Sequence, residues 1–335
     1  MHGPDAVIVA SENAVAVANQ MHTNTKPSRA FGRQIHNHYE KSGFSDKSKR
    51  LRPKEPKVEA TRDRAITGLR LSRPRADILE EYRTNIAAHL LQKDLENHIR
   101  KDYMTQQTDI NSKMRAILVD WLTDVHQKFE LLPQTLFNCV ALMDRFLAVT
   151  EIKRAKLQLI GVACLMIVAK IEEVYTPMVK DYIAVCDNAY TPRELLATEG
   201  EILAAVSFNV LCPTGFTFLS NFNARLQLED KLFNYAQYLL ETSMLELSPL
   251  KHTNTVLAAG AIFFTNKLFK KEGWPADFEA ATGVCEGQLR AAAKDLFVCL
   301  QKADKGDLKA ANRKFAEPAF LEVSKYHIQR GGSKE

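Results

Sequence analysis

Metal-ligand spacing is missing from this sequence: its six cysteines, Cys139, Cys164, Cys186, Cys212, Cys285 and Cys299, form no CxxC pair. Scattered through apolar stretches, they argue against a zinc ribbon and read as reduced core thiols. Strand-like alternation is nearly absent, and no apolar run reaches the roughly 18 residues that a membrane span needs. The longest, Leu157 to Ile171, is interrupted by Gln158, Gly161 and Lys170. A short apolar patch, Val7 to Ala10, lies between Asp5 and Glu12 with no basic stretch before it, unlike a secretory leader. Nor does any nucleophile, acid–base pair or metal set emerge. His89, His98, His126, His252 and His327 fall at helical or helix-end positions without cysteine or acidic partners at ligand spacing, and most read as lone histidines on polar faces. An enzyme is therefore not expected, and neither is a metal or cofactor.

Positive charge is also scarce where folding is expected. The chain of 335 residues carries a net +5, yet residues 1–75 hold 15 Lys+Arg against 7 Asp+Glu, a net of +8 that leaves −3 for the remainder. That balance argues against a broad nucleic-acid surface. Residues 1–75 are rich in Asn, Ser, Lys and Arg without a helical or strand period, so a disordered basic tail is expected there. Within it, Lys47-Ser48-Lys49-Arg50-Leu51-Arg52-Pro53-Lys54 fits either a cluster read by importins or a solvated charge run.

What the chain does have is helical periodicity. Ile78, Tyr82, Ile86, Leu90, Leu91, Leu95 and Ile99 recur at spacings of three and four, predicting a long amphipathic helix in a helix-and-linker segment over 76–112. Ile117, Leu118, Trp121, Leu122, Val125 and Phe129 form a second stripe, and Leu136, Phe137, Val140, Met143, Phe146 and Leu147 a third. Leu157 to Lys170 is apolar nearly all round, as suits the enclosed central helix of a bundle, with Gly161, Ala163 and Ala169 permitting close approach. A short helix over 179–185 follows. Thr191-Pro192-Arg193-Glu194 then supplies an N-cap hydroxyl, a first-turn proline and a capping carboxylate for a helix running to about Val206. Five helices thus fill 113–211. A shift of 97 residues lays Leu157–Lys170 over Asn254–Lys267, again an apolar helix ending in lysine. This predicts a second copy of the domain over 212–312 and an extension over 313–335. The expected fold class is all-α, with two tandem five-helix domains behind an N-terminal helix and a disordered tail.

Met114-Arg115-Ala116-Ile117-Leu118-Val119-Asp120-Trp121-Leu122 resembles the signature that opens the cyclin box of A- and B-type, mitotic cyclins. Met143-Asp144-Arg145-Phe146-Leu147, Lys156-Leu157-Gln158-Leu159-Ile160-Gly161, Ala169-Lys170-Ile171-Glu172-Glu173, and Glu199 ahead of Phe208-Asn209-Val210 follow in the family's order. The resemblance covers about 78–320. It implies tandem cyclin boxes in a regulatory subunit that binds and allosterically activates a cyclin-dependent protein kinase, controlling the cell cycle at about G2/M, in nucleus and cytoplasm. It further implies a buried ion pair between Arg115 and Asp144, and a kinase-binding surface of Lys170, Ile171, Glu199, Leu203 and Val206. Ile171 stands where the family usually has an aromatic residue. Lys170 ends an apolar helix and so also calls for a nearby carboxylate on physical grounds, which leaves an internal Lys170–Glu199 bridge and a partner-facing pair both open.

By the same resemblance, Met114, Ile117, Leu118 and Trp121, with Gln158 opposite, match the patch that docks Arg-x-Leu motifs of substrates or inhibitors. Asp124 would receive the motif's arginine. A plain core stripe has the same spacing. In the tail, Arg29-Ala30-Phe31-Gly32-Arg33-Gln34-Ile35-His36-Asn37 resembles the destruction box read by the ubiquitin ligase of mitotic exit. Arg29, Ile35 and Asn37 match it, while Gly32 stands where leucine is usual. Paired cyclin-like repeats occur also in general transcription factors and in cyclin partners of transcription kinases. The former usually carry a zinc ribbon and a basic repeat surface, whereas residues 213–312 here balance 11 Lys+Arg with 11 Asp+Glu. Neither nucleic acid nor membrane is an expected partner.

Overall fold

The computed structural model describes residues 76–99 and 102–326. The expected tail, with its 29–37 and 47–54 motifs, and the chain from 327 onward lie outside the described residues. Among these, twelve α-helices and no strand are found. Helix α1 (Ala76–Glu96) precedes a first set, α2 (Ser112–Lys128), α3 (Pro133–Leu147), α4 (Leu157–Glu172), α5 (Val179–Val185) and α6 (Pro192–Ala205). A second set follows: α7 (Gly215–Leu226), α8 (Asp230–Ser243), α9 (Asn254–Leu268), α10 (Ala276–Thr282) and α11 (Glu286–Lys305), with α12 (Ala310–Phe315) after it. Three helix starts in the second set repeat those of the first at one spacing: Pro133 and Asp230, Leu157 and Asn254, and Val179 and Ala276 are each 97 residues apart.

Each set wraps a central apolar helix. Helix α4 is buried from Leu159 through Ala169 and packs against α2, α3 and α6; its counterpart α9 packs against α7, α8 and α11. The close approach rests on glycine in both copies. A Cβ at Gly161 would come within 3.0 Å of both Leu118 methyl carbons, and one at Gly260 within 3.0 Å of the Ala292 Cβ. The start of α6 is a capping box: Thr191 Oγ1 accepts the Glu194 N–H at 3.2 Å, and the Glu194 carboxylate accepts the Thr191 N–H at 2.7 Å.

Helix α1 is held differently from the sequence expectation. Of its apolar stripe, Tyr82, Ile86, Leu91 and Leu95 are exposed, and Leu90 packs against the second core. The buried anchor is Asp94. Its carboxylate accepts the N–H groups of Asn254 at 3.1 Å and Thr255 at 2.9 Å, together with the Thr255 hydroxyl at 2.7 Å. A carboxylate there satisfies the unpaired donors and meets the positive end of the α9 dipole.

Helix α12 joins the two copies. Asp120 on α2 accepts the Ala310 N–H at 2.9 Å, and Arg313 donates to both Asp124 oxygens at 2.8 Å. Lys314 donates to both Glu241 oxygens of α8 at 2.6 and 2.8 Å, with both side chains buried. Phe315 is fully buried, 5.4 Å from the Tyr238 ring. The division expected between 312 and 313 therefore falls inside a packed helix. Two further expectations need correcting. Cys285 is exposed and Cys212 half-buried, although the other four thiols are buried. His252 and His126 are not lone polar-face residues: His252 Nε2 lies 2.6 Å from Asp295, and His126 is buried.

His126 Nε2 lies 2.8 Å from the Leu132 carbonyl, which can only accept, so this nitrogen carries the proton. Burial, and next the nearby Lys314 charge, push the imidazole pKa down to about 3. An unfolded chain would protonate this histidine near pH 6.5, so its contribution to stability is intact above that value and declines as pH falls toward 3. Urea unfolding is expected to show a stability loss approaching about 1.4 kcal/mol per pH unit in that window from this group. His126→Gln should flatten the dependence.

Candidate functional site

The first cluster is a buried charge centre. Arg115 Nε and Nη2 donate to the two Asp144 oxygens at 2.7 and 2.6 Å, and the Tyr103 hydroxyl donates to Asp144 Oδ1 at 2.7 Å. Arg115 Nη1 donates to the Met244 carbonyl, beyond α8, at 2.7 Å. Both charged side chains are at most 3% exposed. Burial opposes the guanidinium charge, but Asp144 and Tyr103 outweigh it and hold the Arg115 pKa above its ordinary value. Burial, then the Asp144 charge, push the Tyr103 phenol well above its usual range. With no open face, this centre can brace structure but cannot meet a ligand.

The second cluster lies where α4 leaves the core. Lys170 Nζ meets Glu199 Oε1 of α6 at 2.5 Å, with side-chain exposures of 45% and 16%. The lysine is thus half in solvent, and the burial argument for its carboxylate partner does not hold. Geometry also fixes the residues that follow. Glu172 accepts the Asn138 side-chain N–H at 2.8 Å, and Glu173 accepts the Leu132 N–H at 2.8 Å and the Thr135 hydroxyl at 2.5 Å, clamping the end of α4 to the start of α3. Burial raises the Glu172 pKa, with the Asn138 hydrogen bond opposing.

Around the pair sits uncovered apolar surface. Ile171 is 49% exposed, and Val174 and Tyr175 are 88% and 89% exposed. Leu196 is exposed and Leu203 half-buried, and both share a face of α6 with Glu199 at helical spacing. Val206, expected on this surface, is buried at 8%. Phe208 replaces it, 73% exposed, with its N–H bonded to the Leu203 carbonyl at 2.8 Å. Ser207 and Phe208 both take positive φ, 50° and 58°, a conformation costly for side-chain-bearing residues and concentrated at functional sites. The signal for Phe208 was present in the Phe208-Asn209-Val210 block, whereas Val206, implied by the resemblance, is the C-cap of α6 and turns inward.

The third cluster, on α2, is shallow. Met114, Ile117 and Gln158 are half-buried, Trp121 keeps 6% exposure, and Leu118 is fully buried beneath Gly161. Leu118 and Trp121, both expected in the docking patch, are buried and belong to the core. Asp124, expected to receive an incoming arginine, already receives Arg313. Among the described residues no group of three or more His, Cys, Asp or Glu is placed to hold a metal ion, and no helix is long and apolar enough to cross a membrane.

Two tandem helical repeats around enclosed central helices, with a buried Arg–Asp centre and an exposed Lys–Glu pair at helix ends, define the cyclin-box class of fold. Residues 85–211 match the family described as Cyclin, N-terminal domain, and residues 213–329 the family described as Cyclin, C-terminal domain. The chain belongs to the cyclin family. G2/mitotic-specific cyclin-1 of Medicago sativa subsp. varia is 36% identical over 246 residues, 73% of this chain and 58% of the relative. G2/mitotic-specific cyclin-A of Hydra viridissima is 34% identical over 249 residues, 73% and 59% of the two chains. Cyclin-B1-5 of Oryza sativa subsp. japonica is 38% identical over 224 residues, 67% and 50%. The match thus spans little more than half the length of these relatives. Among solved structures, a viral cyclin from herpesvirus saimiri is similar at TM-score 0.57 and 20% identity, over 64% of this chain and 97% of that one. The yeast RNA Pol II CTD kinase CTDK-1 complex gives 0.51 at 15% identity, over 66% and 74%. These two show a shared fold.

Removing Asp144 strands a buried guanidinium and a phenol. Asp144→Ala is expected to cost about 3–5 kcal/mol, measured by urea unfolding, whereas Arg115→Met with Asp144→Leu should cost clearly less because no charge is left unpaired.

Proposed function

We propose that this chain is the non-catalytic activating subunit of a cyclin-dependent protein kinase acting at about G2/M. The observation that carries the reading is the apolar surface formed by Ile171, Val174, Tyr175, Leu196 and Phe208 around the Lys170–Glu199 pair. Exposed apolar residues grouped along the chain on either side of such a pair are characteristic of an interaction site. Glu199 is largely buried and holds Lys170 in one orientation, so less side-chain freedom is lost when a partner carbonyl takes up the remaining ammonium donors. A protein kinase becomes competent when the glutamate of its αC helix pairs with its β3 lysine. A surface that binds this conformer more tightly than the inactive one shifts the population toward it, and needs no catalytic group of its own.

Substrate or inhibitor docking on Met114, Ile117 and Gln158 is part of the same proposal, with Arg313 as an internal competitor for Asp124. Recognition of Arg29, Ile35 and Asn37 by a ubiquitin ligase, and a nuclear as well as cytoplasmic location, rest on the sequence motifs.

Two experiments test the reading. Lys170→Ala combined with Phe208→Ala should lower activation of a cyclin-dependent kinase in a phosphorylation assay by roughly tenfold or more, about 1.4 kcal/mol of binding, while leaving the unfolding midpoint in place. Full activation by the folded double variant would rule out this surface. Arg313→Ala, an exposed-pair change worth up to about 1 kcal/mol, should tighten binding of an Arg-x-Leu peptide several-fold and leave activity on short peptides unchanged.

A further inference from the structure

The second domain carries an open cleft of about 830 Å³ between the start of α8, the end of α9 and the middle of α11, with Tyr326 at one side. Its floor is aromatic and apolar. The Phe264 and Phe297 rings lie 6.0 Å apart, and the Phe269 and Tyr326 rings 5.6 Å apart. Lys231, Lys267, Lys270 and Lys294 line the same cleft, and no acidic residue does. Elsewhere on this domain three of the five other lysines, Lys251, Lys271 and Lys302, each meet a carboxylate at 2.5–2.8 Å, and Lys309 donates to the Ala303 and Asp304 carbonyls. No ion pair joins the four cleft lysines to a carboxylate among the described residues. Lys231 instead lies 3.8 Å from the Tyr326 ring centroid and 4.9 Å from that of Phe269.

Four like charges around one apolar floor repel each other, and the site gains most from a ligand that brings several negative charges together with an apolar group. We infer that this cleft binds an acidic peptide segment of a partner protein, with an aromatic or branched aliphatic residue seated on Phe264 and Phe297 and flanking carboxylates facing the lysines. Its volume falls in the range of binding pockets, enough for a few residues. The chain's own remaining segments are poor occupants by charge. Residues 1–75 carry a net +8, and residues 327–335 hold Arg330 and Lys334 against Glu335. A nucleic acid is disfavoured because residues 213–312 as a whole balance 11 basic with 11 acidic side chains, without the net positive charge that phosphate-backbone binding draws on. The site stands apart from the Lys170 surface, and the inference holds whether or not that surface meets a kinase.

Fluorescence anisotropy with the full chain tests it, using a short labelled peptide of Asp and Glu flanking Phe and Leu. The control has Asn and Gln in place of the acids. The acidic peptide is expected to bind, to weaken with added salt, and to lose roughly tenfold in affinity on Lys270→Glu with Lys294→Glu, both exposed positions. The milder Lys270→Gln with Lys294→Gln pair should give a smaller loss, and circular dichroism would verify folding of each. Equal binding of the neutral peptide, or undiminished binding by folded charge-reversed protein, overturns the inference. So does binding of phosphatidylserine vesicles without binding of the peptide.

Discussion

A guanidinium and a carboxylate, sealed from water, meet at the centre of this molecule. Arg115 reaches Asp144 with two nitrogens and the Met244 carbonyl with a third, while Tyr103 closes the remaining side of the carboxylate. The linker before α2, helices α2 and α3, and the chain leaving α8 thus converge on one pair. Apolar residues of the same volume would hold these segments together at least as firmly, but without direction. The planar fork of arginine accepts one arrangement of carboxylate and carbonyl, which fixes the first domain against the second.

Because that centre sets the position of α2 and α3, it also sets the end of α4. Glu172 and Glu173 anchor to α3 and its start, so the chain leaves the core at Lys170 and Ile171 in a defined direction. The polar pair and its apolar surroundings therefore sit on helix ends braced from within, not on free loops. A surface of this kind can present a partner with a nearly rigid template. Helix α2 contributes at both levels: Leu118 and Leu122 lie in the core, while Met114 and Ile117 remain accessible.

Local signals were readable in the sequence because they depend on neighbours within a turn or two. Thr191 and Glu194 announce the start of α6, and the glycine of α4 announces a close crossing. The repeat at 97 residues, in turn, reveals the second domain despite low similarity between copies. Positions set by distant partners were not readable. The stripe on α1 looks like a core-facing side, but a single aspartate, Asp94, decides which face turns inward by capping a helix 160 residues away. His126 looks solvent-facing until α12 returns to cover α2. Val206 and Phe208 exchange roles because α6 ends at Ala205 and the chain turns through two left-handed residues.

The placement of α12 has a consequence for how the protein is made. Asp120 accepts the Ala310 N–H from 190 residues later, so the first domain leaves the ribosome before α12 can pack on α2. At translation speeds of about 5–20 residues per second, that interval lasts on the order of ten seconds or more. During it the face of α2 on which α12 will pack is without that cover, so docking of α12 belongs to the last stage of folding.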